Sequence, residues 1–153
     1  MNGIMSGLPN VHGLTLSQYP NDLIEKVFSN IAEGIMITDC QKKIVTVNAA
    51  FEFVTGYTIK EVQGKSPSVL QSGVHERDFY LKMWHQIDEQ GIWQGEIWNR
   101  RKTGELYPEW LTIFAIKSAE GIVTNYCGIF TDISERKVVE DELEKRALHD
   151  ALT

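Results

Sequence analysis

Short apolar runs separated by polar breaks divide the chain, and the period of the apolar positions changes several times along it. Leu23, Val27, Phe28 and Ile31 fall on one helical stripe, which predicts a helix capped by Asn21 or Asp22 and stopped by Gly34. Residues 35–38 and 44–48 read as two strands around a turn at 39–42. Ala50, Phe51 and Val54 then predict a short helix that Gly56 ends, and Thr58 with Glu61 forms a capping-box pattern for the next. Pro67, Ser68, Ser72 and Gly73 mark a loop. Phe79, Met83, Trp84 and Ile87 line one face of a helix expected over residues 75–90, with Gly91 as its stop.

The segment GIWQGEIWNRRKTGELYPEW, residues 91–110, reads as two strands joined by a Lys102-Thr103-Gly104-Glu105 turn. Strand alternation places Ile97 and Asn99 on the face opposite Trp98 and Arg100. Residues 106–116 are rich in aromatic and β-branched types, and a last strand over 122–131 follows a turn at Glu120-Gly121. Five strands around a block of small helices predict an α+β fold: one antiparallel sheet with short helices over one face. From Ser134 the composition becomes strongly charged. Val139, Leu143, Ala147 and Ala151 recur every four residues, and Asp141–Lys145 and Glu142–Arg146 are favourably oriented helix pairs. The expected organisation is a loose arm over 1–20, a domain over 21–133, and a helix over 134–153 that links to something downstream.

A length of 153 residues suits one hydrophobic core. The net charge of −6 argues against nucleic acid as a partner, which calls for a basic surface. Cys40 and Cys127 are the two cysteines, so a disulfide scaffold is not expected and the compartment is read as reducing. No metal-ligand spacing occurs. No apolar run spans a bilayer. The domain is therefore expected in the cytoplasm, with any membrane anchor elsewhere in a longer parent chain.

The candidate chemistry gathers around Asn99. An amide beside an apolar face needs partners, which a planar heterocycle or a neighbouring strand or loop can supply. Trp93, Trp98 and Trp110 offer aromatic walls for such a ligand, or serve as core and interface residues. His75-Glu76 lacks the second histidine of a zinc-protease helix. His75 or His85 would be the proximal ligand of a haem, which ranks below other ligands because a surface or helix-side histidine is far commoner. No catalytic constellation is recognisable.

Three blocks carry a family resemblance. Asn48-Ala49-Ala50-Phe51 with Thr55-Gly56-Tyr57 and Glu61-Val62-Gln63-Gly64-Lys65 is the first. The second runs from Trp93-Gln94-Gly95-Glu96 to Asn99-Arg100-Arg101-Lys102-Thr103-Gly104. The third is Tyr126-Cys127-Gly128-Ile129-Phe130-Thr131-Asp132-Ile133-Ser134-Glu135-Arg136-Lys137. In this order and spacing the chain resembles a PAS domain of the bacterial sensory type over about residues 23–137. His149-Asp150-Ala151-Leu152-Thr153 resembles the opening of a GGDEF diguanylate cyclase domain.

The resemblance implies a five-stranded sheet with helices over one face and a C-terminal signalling helix. It implies a sensory module that is not itself an enzyme. Such a module relays ligand, redox or partner state to an attached enzyme, here one of cyclic di-GMP turnover: a diguanylate cyclase, with or without a phosphodiesterase. The alternative is a ligand-free interaction and dimerisation domain, and a homodimer through flanking helices is expected either way. Asn99 matches the ring-binding asparagine of flavin-binding members. Asn48, Trp93, Trp98 and Trp110 join it as candidate cofactor contacts. Pro67 stands where light-sensing members carry their reactive cysteine, Ser68 where they bind phosphate through arginine, Glu109 at a second ring-binding asparagine and Phe130 at the signalling glutamine. A flavin would accordingly be the adenine dinucleotide rather than the mononucleotide. Asp132, which either bonds the first free N–H groups of the following helix or pairs with Arg136, is the expected signalling residue.

Overall fold

The computed structural model describes residues 14–152. Residues 1–13 and 153 lie outside them, and with them most of the expected arm and the end of the cyclase-like pentapeptide. Leu16–Gln18 forms a single 3-10 turn closed by a Thr15–Gln18 capping box. Helix α1 (Asn21–Asn30) follows, with Pro20 at its N-cap. The chain then runs β1 (Gly34–Asp39), β2 (Ile44–Val47), α2 (Ala49–Thr55), α3 (Ile59–Val62), a 3-10 turn at Pro67–Leu70, and α4 (Arg77–Gln90). Strands β3 (Ile92–Arg100), β4 (Leu106–Lys117) and β5 (Val123–Asp132) lead into α5 (Ser134–Leu152).

The five strands form one antiparallel sheet, as expected, and their order in it is β2-β1-β5-β4-β3. The short helices pack on one face. Phe51, Val62, Leu70, Met83 and Ile87 meet Ile97, Leu111, Ile113 and Phe130 from the sheet in one core. Burial of such side chains contributes about 1.5–3 kcal/mol each.

Two boundaries move for physical reasons. Helix α1 ends at Asn30 and Ile31 is already extended, so Gly34 does not stop it. Gly34 opens β1 opposite Phe130, where an added Cβ would lie 2.3 Å from the ring's Cζ. Its lack of a side chain serves packing rather than helix termination. Helix α4 begins at Arg77 because His75 is drawn to the sheet: its Nε2 accepts from the Trp98 backbone N–H at 2.9 Å, and its ring stacks on Phe79 with centroids 4.1 Å apart.

Helix α5 leaves the sheet with Val138, Val139, Leu143 and Leu148 exposed. Its ion pairs include Arg136–Glu140 at 3.1 Å, Lys137–Glu96 at 2.8 Å and Lys137–Glu140 at 4.0 Å, near its start. No helix of the described residues is long and apolar enough to cross a membrane.

Candidate functional site

A cavity of about 140 Å³ lies between the inner face of the sheet and the helices. Leu70, Met83, Ile97, Leu111, Ile113 and Phe130 make much of its wall apolar. Trp84 and Tyr126 meet edge to face, 5.1 Å between centroids. The Lys42 ammonium sits 4.1 Å above the Trp84 ring. Gly128 leaves a gap in the wall where a Cβ would find Leu111 at 3.7 Å.

The polar part of the cavity follows from strand alternation. Ile97 pairs with Glu109 and Asn99 with Tyr107, so all four point to the inner face. Asn99 Nδ2 donates to Glu109 Oε1 at 2.7 Å, and the Tyr107 hydroxyl donates to Oε2 at 3.0 Å. Glu109 is only 2% exposed. Burial pushes its carboxyl up to about 8, and the bonds from Tyr107 and Asn99 offset only part of that. At neutral pH it is therefore mainly the uncharged acid. Burial likewise pushes the Tyr107 hydroxyl well above the ordinary phenol range, with the neighbouring Glu109 adding to it.

Contacts continue from this pair to the last helix. The Arg101 guanidinium lies 4.1 Å above the Tyr107 ring. Its Nη1 donates to the Val54 carbonyl at 2.7 Å, and its Nη2 pairs with Asp132 Oδ2 at 2.7 Å. Asp132 Oδ1 accepts from the backbone N–H of Ser134, the first residue of α5, at 2.9 Å, and from its hydroxyl. Burial works to raise the Asp132 carboxyl, but the Ser134 and Arg101 hydrogen bonds outweigh it and hold the group below the usual range. One string of side chains thus joins the cavity to the start of α5.

Comparison with known proteins assigns the fold's family. A family model described as a PAS domain matches residues 32–135. The chain belongs to the PAS domain family. It is 27% identical over 133 residues to a nitrogen fixation regulatory protein of Klebsiella oxytoca, covering 87% of this chain and 27% of that protein. It is 32% identical over 134 residues to a blue-light photoreceptor of Listeria innocua, covering 85% of this chain and 53% of that one. The chain therefore spans between about a quarter and about half of these two relatives. A solved structure described as an RNA-binding light-oxygen-voltage receptor superposes with a TM-score of 0.78 at 24% identity, covering 95% of this chain and 42% of that one. This PAS domain is accordingly a sensory module of the kind that serves signal transduction.

The candidate residues separate into distinct places. Asn99 lines the cavity. Trp98 and Trp110 do not wall it: by strand parity they lie on the opposite face of the sheet, and Trp110 is 42% exposed. Trp93 shares the inner face but sits beyond the cavity, folded over Gly95 and edge to face with Phe79. Asn48 is buried and structural. Its Oδ1 accepts from the N–H groups of Ile35 and Phe51, capping α2, and its Nδ2 donates to the Glu33 carbonyl. Asp132 bonds the helix start as expected, but its ion-pair partner is Arg101. Arg136 turns to Glu140 instead, because Arg101 reaches Asp132 from across the hairpin.

Sequence reasoning missed Tyr80, Trp84, Lys42 and Glu109 as a set. Glu109 was legible as a departure from the resembled pattern, and its even spacing from Tyr107 and Leu111 marks it as inward. Among the described residues no group of three or more His, Cys, Asp and Glu side chains is placed to hold a metal.

Proposed function

We propose that this PAS domain, over residues 21–133, reads the occupancy of its cavity and passes it to α5, and through α5 to an attached enzyme of cyclic di-GMP turnover. The observation that carries this is the Arg101–Asp132 pair, which holds the β3–β4 turn, the end of α2 and the first N–H of α5 in one cluster. Motion of the cavity wall at Asn99 and Glu109 reaches that cluster through Tyr107. The relay requires this cluster to hold two arrangements, the two-state element on which coupling between two sites depends. The cyclic di-GMP output rests on the likeness of residues 149–153 to the opening of a diguanylate cyclase.

In the full-length protein, Arg101→Ala and Asp132→Ala are expected to shift basal cyclic di-GMP synthesis at least threefold and to abolish its response to the sensed stimulus. The variants should keep the wild-type circular dichroism spectrum. Regulation of wild-type size in a folded variant overturns the relay.

A flavin is the cofactor that the family resemblance implies. The residues present do not fit it. The cavity matches those of about 150 Å³ that take a single benzene ring and falls below the roughly 300–1,000 Å³ of larger ligand sites.

Pairing is the second reading, favoured by the apolar side chains that two helices leave in solvent. Ile24, Val27 and Ile31 are exposed on and just after α1, as are Val139, Leu143 and Leu148 on α5. Two copies joined on a two-fold axis would cover both stripes. Light scattering at high micromolar concentration should give twice the mass of the chain, and Leu143→Glu should return it to one. A wild-type monomer under those conditions removes the reading.

A further inference from the structure

Three features of the cavity bear on what it would hold, and two of them, at Lys42 and Tyr80, play no part in the relay. Lys42 is the one non-glycine residue with positive φ among the described residues, at 64°. Such a conformation is unfavourable for a lysine and persists where its surroundings hold it. Here it puts the ammonium over Trp84, 6.0 Å from the Tyr126 ring, at the cavity wall. Among the described residues that ammonium has no carboxylate within ion-pair distance. Secondly, the Tyr80 hydroxyl is the one buried side-chain polar atom without a hydrogen-bond partner among the described residues, and Tyr80 lines the same cavity. An unsatisfied buried hydroxyl is a cost that a ligand oxygen would relieve. Thirdly, Asn99 and Glu109 give the wall a buried acid and amide already held in place.

We propose that the cavity binds a small one-ring organic acid. Its ring lies among Trp84, Tyr126 and the apolar wall, its carboxylate pairs with Lys42, and a ring hydroxyl or carbonyl meets Asn99 and Glu109. Tyr80 donates to whichever ligand oxygen lies nearest. The volume sets one ring, because a cavity of this size takes a single benzene-sized body. Lys42 sets the sign: an unpaired ammonium at the wall repels an amine and attracts a carboxylate. Glu109 tolerates that anion because it holds its proton, and as an acid it can donate to a ligand oxygen. This assignment deepens the sensory reading above and rests on it.

The probes are 4-hydroxybenzoate, benzyl alcohol and benzylamine, titrated calorimetrically into the chain. The expected order is 4-hydroxybenzoate tightest, benzyl alcohol at least tenfold weaker, and benzylamine without saturable heat. Lys42→Met should weaken the acid at least tenfold and leave the alcohol unchanged. Tyr80→Phe should leave the ligand-free chain as stable as before and still weaken the acid severalfold, a split that a packing role would not produce. No saturable binding of the acid, equal binding of acid and amine, or an unchanged acid affinity in Lys42→Met each overturns the ligand class. A freshly purified chain bearing the blue absorption of oxidised flavin overturns it as well. None of these outcomes touches the relay, which fails only if the Arg101 and Asp132 variants of the full-length protein regulate normally.

Discussion

The two faces of the β3–β4 hairpin invert the usual sorting. The inner face buries an amide, a phenol and a carboxyl group at Asn99, Tyr107 and Glu109, while the outer face leaves Trp110 42% exposed. Strand parity decided this, since a side chain cannot change face without a slip of register. What made the polar inner face tolerable is mutual satisfaction. Asn99 and Tyr107 both donate to Glu109, and the acid escapes most of the cost of a buried charge by keeping its proton. A mutually bonded polar cluster can stand at the edge of an apolar cavity, whereas a large aromatic surface can stay outside.

The sharpest test of that contrast is a pair of neighbouring substitutions. Leu111→Ala empties a site on the inner face and should cost about 2–5 kcal/mol of unfolding free energy. Trp110→Ala, one residue away on the outer face, removes more atoms yet should cost only about 1 kcal/mol. Urea unfolding of the two variants measures both. Equal losses would mean that the outer face is as much a core as the inner one.

A smaller effect distinguishes a proton-bearing Glu109 from an ionised one. Its folded-state value of about 8 lies above the 4.5 of the unfolded chain, so between these limits the folded chain binds more protons. Stability from this group is complete below 4.5 and is lost as pH rises through about 8. Glu109→Gln keeps the shape but removes the titrating proton, and should flatten that slope in thermal unfolding across the same range. Parallel profiles for variant and wild type would show that the carboxyl is already charged in the folded state.

The sheet was readable from the sequence because runs of apolar, β-branched and aromatic residues are bounded by turn residues along 35–47 and 92–131. Asn99 was readable as inward from its spacing to Ile97, and Asp132 as a helix-start acceptor from its place before Ser134. The walls of the cavity were not. Tryptophan size suggested a ligand role for Trp98 and Trp110, but parity turned both away. Trp84 looked like one more apolar position on α4, and only the folded chain brings Lys42 over it from a turn forty-two residues earlier. Arg101 against Asp132 is likewise a meeting of residues far apart in sequence, which no local pattern announces.

Gly128 carries a consequence for how such a domain changes over generations. It faces the cavity from the middle of β5, and a Cβ there would touch Leu111 at 3.7 Å and Met36 at 3.9 Å, ordinary contact distances. Alanine is thus admissible without strain, and each added carbon takes volume directly from the chamber. None of the groups that give the cavity its chemistry, from Lys42 to Glu109, need shift to permit it. Size selectivity and chemical selectivity therefore sit on separate residues. A lineage can narrow or reopen the chamber at one codon and retain its taste for a given functional group, so new ligand sizes are reachable by single steps that leave the signalling apparatus untouched.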